Sequence, residues 1–263
     1  MIFLPVIIFG LGLIIGSFLN VVILRINTGR SIAKGRSKCA RCSTPLAWYE
    51  LIPVFSFLGL RGKCKTCSTQ ISFQYPIVEL VTGLMFVILY TKIMLSQGFN
   101  LYSLVSFVFS ATVASLLIVI MAYDFRHKII PNKIVYPLIA LSFVSILWKV
   151  FTLPSFSFLS AVMSGLLLAA PFFFLWFFSK GRLMGFGDVK LALGIGWLVS
   201  LAASVTIFFL SFWLGAIVGL LLMATSRAHG MKSEIPFAPF MIVALFIVAV
   251  YEITLSSLFP LWL

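Results

Sequence analysis

Only six acidic residues occur in this 263-residue chain: Glu50, Glu79, Asp124, Asp188, Glu234 and Glu252. Two of them stand at the ends of apolar runs. Asp124 closes one, in Met121-Ala-Tyr-Asp-Phe-Arg-His-Lys-Ile-Ile-Pro-Asn132, and Asp188 opens another, in Gly185-Phe-Gly-Asp-Val-Lys190. Two carboxylates brought close can share one proton, because like charges at short range do not both ionise cheaply. The ionised member then takes a proton from water while the protonated member polarises a carbonyl, which is the chemistry of peptide hydrolysis. Those roles belong to the pair and not to either residue. Gly185 and Gly187 would let the backbone come close to an extended substrate. Ordinary interfacial charge is the competing reading, with Asp124 paired to Arg126 or Lys128 and Asp188 to Lys190.

The second constellation is Cys39-Ala-Arg-Cys42 and Cys64-Lys-Thr-Cys67, which together hold all four cysteines of the chain. Two CxxC pairs at this separation match a structural zinc site with four thiolate ligands, each pair turning tightly enough to offer two sulfurs to one tetrahedral ion. The basic neighbours Lys38, Arg41, Lys63 and Lys65 would favour the thiolates. Disulfides and a thioredoxin-type redox pair are the other uses of such cysteines. A reducing compartment disfavours stable disulfides.

These groups must be positioned by elements suited to lipid. The chain is 62% hydrophobic and 10% charged, against about 25% charged in a soluble domain. So little charge cannot cover a water-facing surface. Eight apolar spans are expected, near residues 2–24, 76–95, 102–122, 134–151, 157–178, 188–202, 204–225 and 236–256, each judged against the roughly 20 residues a transmembrane helix needs. A tight turn near Ser200 to Ser204 divides the long run from Val189 to Ser226. The first run lacks a basic leader and a small-residue cleavage site, and reads as a retained span. The expectation is an all-α polytopic membrane protein.

The net charge of +13 raises the question of nucleic acid, but its distribution points to topology. Of the 19 Lys and Arg residues, 17 fall in 25–75, 124–133, 180–190 and 226–235, whereas Lys92 and Lys149 stand on the other side. Positive loops stay in the cytoplasm, so both termini are expected outside, and the cysteine loop and both aspartates at the cytoplasmic edge. Three parts follow: a first span (1–24), a cytoplasmic Cys-rich domain (25–75) and a membrane domain of about seven spans (76–263). In a loop of about 50 residues bound metal supplies folding energy that a small core lacks. Within it, Ala47 to Leu60 is too short to span and is expected to pack on the loop or against the membrane surface. No internal repeat is apparent at this level.

Taken in order, these motifs resemble the type 4 prepilin peptidases, within the GxGD class of intramembrane aspartyl proteases. The resemblance runs through Gly16-Ser-Phe-Leu-Asn-Val-Val-Ile-Leu-Arg25, the paired CxxC loop, Tyr75-Pro-Ile-Val-Glu79, the Asp124 segment, Gly185-Phe-Gly-Asp-Val-Lys-Leu191 and Ile235-Pro-Phe-Ala-Pro-Phe240. It implies cleavage of prepilins and pseudopilins after a Gly on the cytoplasmic face of the bacterial inner membrane. It also implies methylation of the new N-terminal residue, usually Phe, with S-adenosylmethionine. Asp124 and Asp188 match the family's catalytic pair, and Cys39, Cys42, Cys64 and Cys67 its cysteine motif. Gly62 and Lys63 match a pair tied to methyl transfer, and Glu79 matches a motif carboxylate, whose plain alternative is charge at a helix N-terminus. Two departures stand out: Asn132 where many members have Asp, and Ala238 where Gly is usual. Neither is expected to touch the aspartates.

Two other classes compete. A small transporter would use intramembrane acids as proton relays, but both aspartates map to span edges. A membrane thiol oxidoreductase would place its cysteines towards an oxidising compartment. His127 and His229 are given no special role, and Trp148, Trp197 and Trp262 are expected to anchor span ends at the interface.

Overall fold

The computed structural model describes residues 3–152, 156–225 and 235–254. Arg227, His229, Lys232, Glu234 and Trp262 lie outside the described residues. The described chain is helical, with two isolated β-bridges, Lys38 to Pro45 and Lys63 to Gln70. The helices are α1 (Phe3–Arg25), α2 (Phe55–Gly59), α3 (Gln74–Gln97), α4 (Leu101–His127), α5 (Asn132–Thr152), α6 (Phe158–Ser179), α7 (Phe186–Leu198), α8 (Leu201–Thr225) and α9 (Ala238–Tyr251).

Each of the eight expected spans meets a helix. Among the described residues six helices, α1, α3, α4, α5, α6 and α8, are long and apolar enough to cross a bilayer. Helices α7 and α9 have 13 and 14 residues. At 1.5 Å per residue each is about 20 Å long, short of a hydrocarbon core of about 30 Å. The expected turn falls at Val199 and Ser200, where Val199 leaves helical geometry (φ −120°, ψ 171°) before α8 begins.

Two compact units divide the chain at residues 1–122 and 123–263, within α4. In the first, α1 and α3 meet through small residues. A Cβ added to Gly12 would lie 2.7 Å from the Gly83 Cα, and one added to Gly16 would lie 2.7 Å from the Glu79 Cα. The side-chain amide of Asn20 donates to the carbonyls of Gly16 and Tyr75, stitching the helices one turn further along. Phe86 of α3 packs edge to face on Phe107 of α4 at 6.1 Å, with Ala111 beside them.

In the second unit, α7 packs against α5 and α6, and α8 against α6 and α9. The closest approach is between α6 and α7. A Cβ on Gly196 would sit 2.6 Å from the Gly165 Cα, and the Ser164 hydroxyl donates to the Gly196 carbonyl at 2.7 Å. Trp197 belongs to this contact. Its indole packs beside Gly165, donates to the Val162 carbonyl at 3.4 Å and meets Phe143 at 5.4 Å. Trp197 is half-buried, one residue before the end of α7, and Trp148 is exposed.

Candidate active site

Asp124 stands in the last turn of α4, buried at 4% exposure. Asp188 stands in the first turn of α7 and is half-buried. Both belong to the second unit, and their carboxylates are close enough for the charge of one to act on the other. The Asp124 carboxylate accepts the backbone N–H of Ala238, at the start of α9. The Asp188 carboxylate lies beside the backbone N–H groups of Gly185 and of its own residue, at the positive end of α7, where a negative charge is favoured. Three helix ends thus converge on the pair: the C-terminal end of α4 and the N-terminal ends of α7 and α9.

The basic partner proposed for Asp188 is engaged elsewhere. Lys190 donates to the Asn132 side-chain oxygen at 2.6 Å, and its ammonium lies 5.0 Å from the Tyr136 ring centre and 5.3 Å from that of Phe186. Asn132 therefore supplies a neutral acceptor to Lys190, bridging the starts of α5 and α7.

The two glycines of the Gly185-Phe-Gly-Asp188 turn do different work. A Cβ on Gly187 would meet the Ile130 Cβ at 2.9 Å, so this glycine allows the turn to sit on the α4–α5 connection. Gly185 is exposed, and a Cβ there would make only ordinary contacts, the nearest at 3.6 Å with an Asp188 carboxylate oxygen. Close backbone approach from outside is open at Gly185 and taken by Ile130 at Gly187. The departure at Ala238 also proves relevant, because its N–H bonds Asp124. That bond comes from the backbone, which Ala and Gly supply alike, so the substitution leaves it intact.

In the first unit the cysteines form two matching knuckles. In Cys39-Ala-Arg-Cys42-Ser-Thr44, the Cys39 N–H bonds the Thr44 carbonyl and the Ser43 N–H bonds the Cys39 carbonyl. In Cys64-Lys-Thr-Cys67-Ser-Thr69, the Cys64 N–H bonds the Thr69 carbonyl and the Ser68 N–H the Cys64 carbonyl. Ser43 and Ser68 take φ of 57° and 55°. This is a short internal repeat, which the sequence reading missed although Cys-x-x-Cys-Ser-Thr stands there twice. The four sulfurs lie within 4.8 Å of one another, and Cys39 and Cys67 are 3.7 Å apart. Thiolates at about 2.3 Å from a tetrahedral zinc are separated by about 3.8 Å, so the cluster fits that ion. The Thr69 hydroxyl, and after it the Thr69 backbone, hold the Cys67 thiol down at about 6. The Thr44 hydroxyl likewise lowers the Cys42 thiol.

Gly62 and Lys63 enter the second knuckle. Gly62 has φ +67° and accepts the Ile71 N–H at 2.7 Å, with the Phe57 ring against its α-carbon side. Glu79 is buried at 6% exposure. Its Oε2 accepts the Val54 N–H at 2.8 Å, and its carboxylate also bonds Ser17 of α1. Glu50 accepts the Ala47 N–H at 2.8 Å and closes the turn Trp48–Leu51. Around that turn Trp48, Phe55, Leu58 and Phe73 are exposed.

Two family models match the chain. The Bacterial Peptidase A24 N-terminal domain covers residues 10–93 and the Type IV leader peptidase family covers residues 111–220. A prepilin leader peptidase/N-methyltransferase of Bacillus subtilis is 35% identical over 89% of this chain and 88% of that protein. A protein of the same name from Myxococcus xanthus is 35% identical over 87% of this chain and 66% of its own length. One from Xanthomonas campestris is 30% identical over 89% of this chain and 87% of that protein. No solved structure matches. Similarity that extends almost end to end through both the cysteine knuckles and the aspartate-bearing bundle means that the chain belongs to the type IV leader peptidase family.

Proposed function

We propose that this multi-pass membrane peptidase removes the leader of a type IV prepilin or pseudopilin by the joint action of Asp124 and Asp188. The single observation that carries the reading is that these two carboxylates, remote in sequence, stand at the ends of α4 and α7 near enough for the charge of one to act on the other. One ionised carboxylate removes a proton from water as the oxygen attacks the scissile carbonyl, and the protonated partner gives its proton to the carbonyl oxygen. The tetrahedral intermediate then collapses, the C–N bond breaks, and the leaving nitrogen takes a proton from the pair. The cut falls after a Gly on the cytoplasmic side, where the Lys- and Arg-rich loops are retained.

The same chain then transfers a methyl group to the new N-terminal residue. S-adenosylmethionine would supply an electrophilic methyl group to the freed amine. Gly62 and Lys63 are the residues put forward for this activity, next to a knuckle pair that holds zinc through Cys39, Cys42, Cys64 and Cys67. The zinc role is structural, since four thiolates leave no open coordination position.

The test is cleavage of a purified prepilin in liposomes, with methyl transfer followed separately on pre-cleaved pilin. Asp124→Asn and Asp188→Asn should each abolish cleavage while retaining the folded protein. Full turnover by either variant removes the mechanism.

A further inference from the structure

We propose that an aromatic cleft formed by α6, α8 and the start of α9 seats the apolar helix of the substrate that follows the scissile bond. This rests on the reading of Asp124 and Asp188 as the peptidase pair. Two cavities, about 620 Å³ and about 420 Å³, share Leu175, Leu183 and Phe212 and so form one continuous cleft. The larger is walled by Pro171, Phe174, Phe178 and Phe208, and the smaller by Met184, Gly215 and Phe237 among others.

The walls of its mouth are the segments that hold the carboxylates. Leu183 and Met184 run directly into Gly185, which lies beside the Asp188 carboxylate, and Phe237 precedes Ala238, whose N–H bonds Asp124. From that mouth the cleft descends along the bundle. Phe208 lies seven residues before Gly215 on α8, about 10 Å further from the carboxylate end at 1.5 Å per residue. A chain lying in it therefore has one end at the aspartates and its length among apolar side chains.

The occupant follows from this placement. Among the described residues Ser179 is the one polar residue lining the larger cavity, so that lining offers almost nothing to a charged leader. Among the described residues α8 is the least buried of the six long spans, so the helix that forms one wall of the cleft presents most of its surface outward. Gly215 and Ala216 keep this wall low, and a Cβ added to Gly215 would already touch the Phe240 ring at 3.4 Å. An acyl chain would satisfy the same walls. A helix that continues into a peptide bond also accounts for the mouth, because the covalent chain must pass from the cleft to the carboxylates.

The experiment uses full-length enzyme in liposomes with a photoreactive benzoylphenylalanine in place of Phe174 or Phe178, in an Asp188→Asn background that leaves substrate uncut. Val144 on α5, exposed in the same unit, is the control position. The expected result is a prepilin adduct at Phe174 and Phe178, mapped to residues after the scissile bond, and little at Val144. Adducts with lipid alone, with another part of this chain, or with prepilin equally at all three positions overturn the proposal. A second variant, Ala216→Trp, narrows the cleft. It should lower kcat/KM for full-length prepilin at least tenfold and leave slow cleavage of a leader peptide lacking the apolar segment unchanged. Equal loss on both substrates, or loss on neither, also overturns it. Wild-type enzyme that cuts no prepilin removes the peptidase reading itself, whereas active enzyme with no cleft adduct removes the cleft alone.

Discussion

The carboxylate of Asp124 accepts the backbone N–H of Ala238, so the first residue of α9 fixes the orientation of an acid at the end of α4. The carboxylate is tethered to a helix start, near enough for its charge to act on Asp188. Asp124→Asn keeps an acceptor for that N–H and should fold normally with cleavage lowered at least a thousandfold, since positioned acid–base groups contribute about 10²–10⁴ each and the pair acts as a unit. Asp124→Ala should add a stability loss of about 1–3 kcal/mol for the orphaned buried N–H. Thermal unfolding in detergent, beside the cleavage assay, separates the two effects.

Gly187→Ala and Gly196→Ala should differ in whether they can be rescued. The new methyl at 187 meets the Ile130 Cβ at 2.9 Å, an atom that Ile130→Ala would keep, so of the two truncations only Ile130→Gly should restore part of the lost cleavage. The methyl at 196 meets backbone, the Gly165 Cα at 2.6 Å and the Ser164 carbonyl at 2.7 Å. Trimming a side chain cannot relieve it, and a loss of about 1–3 kcal/mol is expected. Equal rescue of both by neighbouring truncations would contradict the packing described.

Val54 is a β-branched residue at φ 61°, ψ −49°, and the Phe55 N–H bonds the Pro53 carbonyl at 2.6 Å across it. This is the classical γ-turn, a strained conformation, and Glu79 holds its central N–H. Glu79→Gln preserves an acceptor and should be mild. Glu79→Leu should cost about 1–3 kcal/mol and expose residues 47–60 to proteolysis. Val54→Gly should leave stability unchanged or raise it, because glycine takes positive φ without the steric penalty.

Removal of zinc by a chelator should loosen residues 37–71, read as faster amide exchange there, and metal analysis should give about one zinc per chain. The pH dependence follows from Cys67. Its thiol lies at about 6 in the folded loop against an ordinary 9.0, so the folded state favours the thiolate. That contribution is complete above about pH 9 and is lost as the pH falls through about 6. Thr69→Val removes the first cause of the shift and should move zinc release to higher pH. An unchanged release curve would show that the hydroxyl does not govern this thiolate.

Much of the site was legible because rare residue types carried it. In a chain with six acids and four cysteines, Asp124, Asp188 and the two CxxC pairs stand out from an apolar background, and their loops fall on one predicted side of the membrane. The break at Val199–Ser200 was equally accessible, since a run from Val189 to Ser226 exceeds one span. The sequence by itself determined the helical membrane class, the candidate acids and the candidate metal-ligand set, because bilayer burial constrains composition and thiolate spacing constrains coordination. Only the tertiary structure decided what those groups touch. It gave Lys190 to Asn132, Gly187 to Ile130, Ala238 to Asp124 and Trp197 to Val162. Those pairings join distant segments through backbone N–H groups and sub-3 Å approaches, and the periodicity of apolar residues carries no record of which helix end meets which.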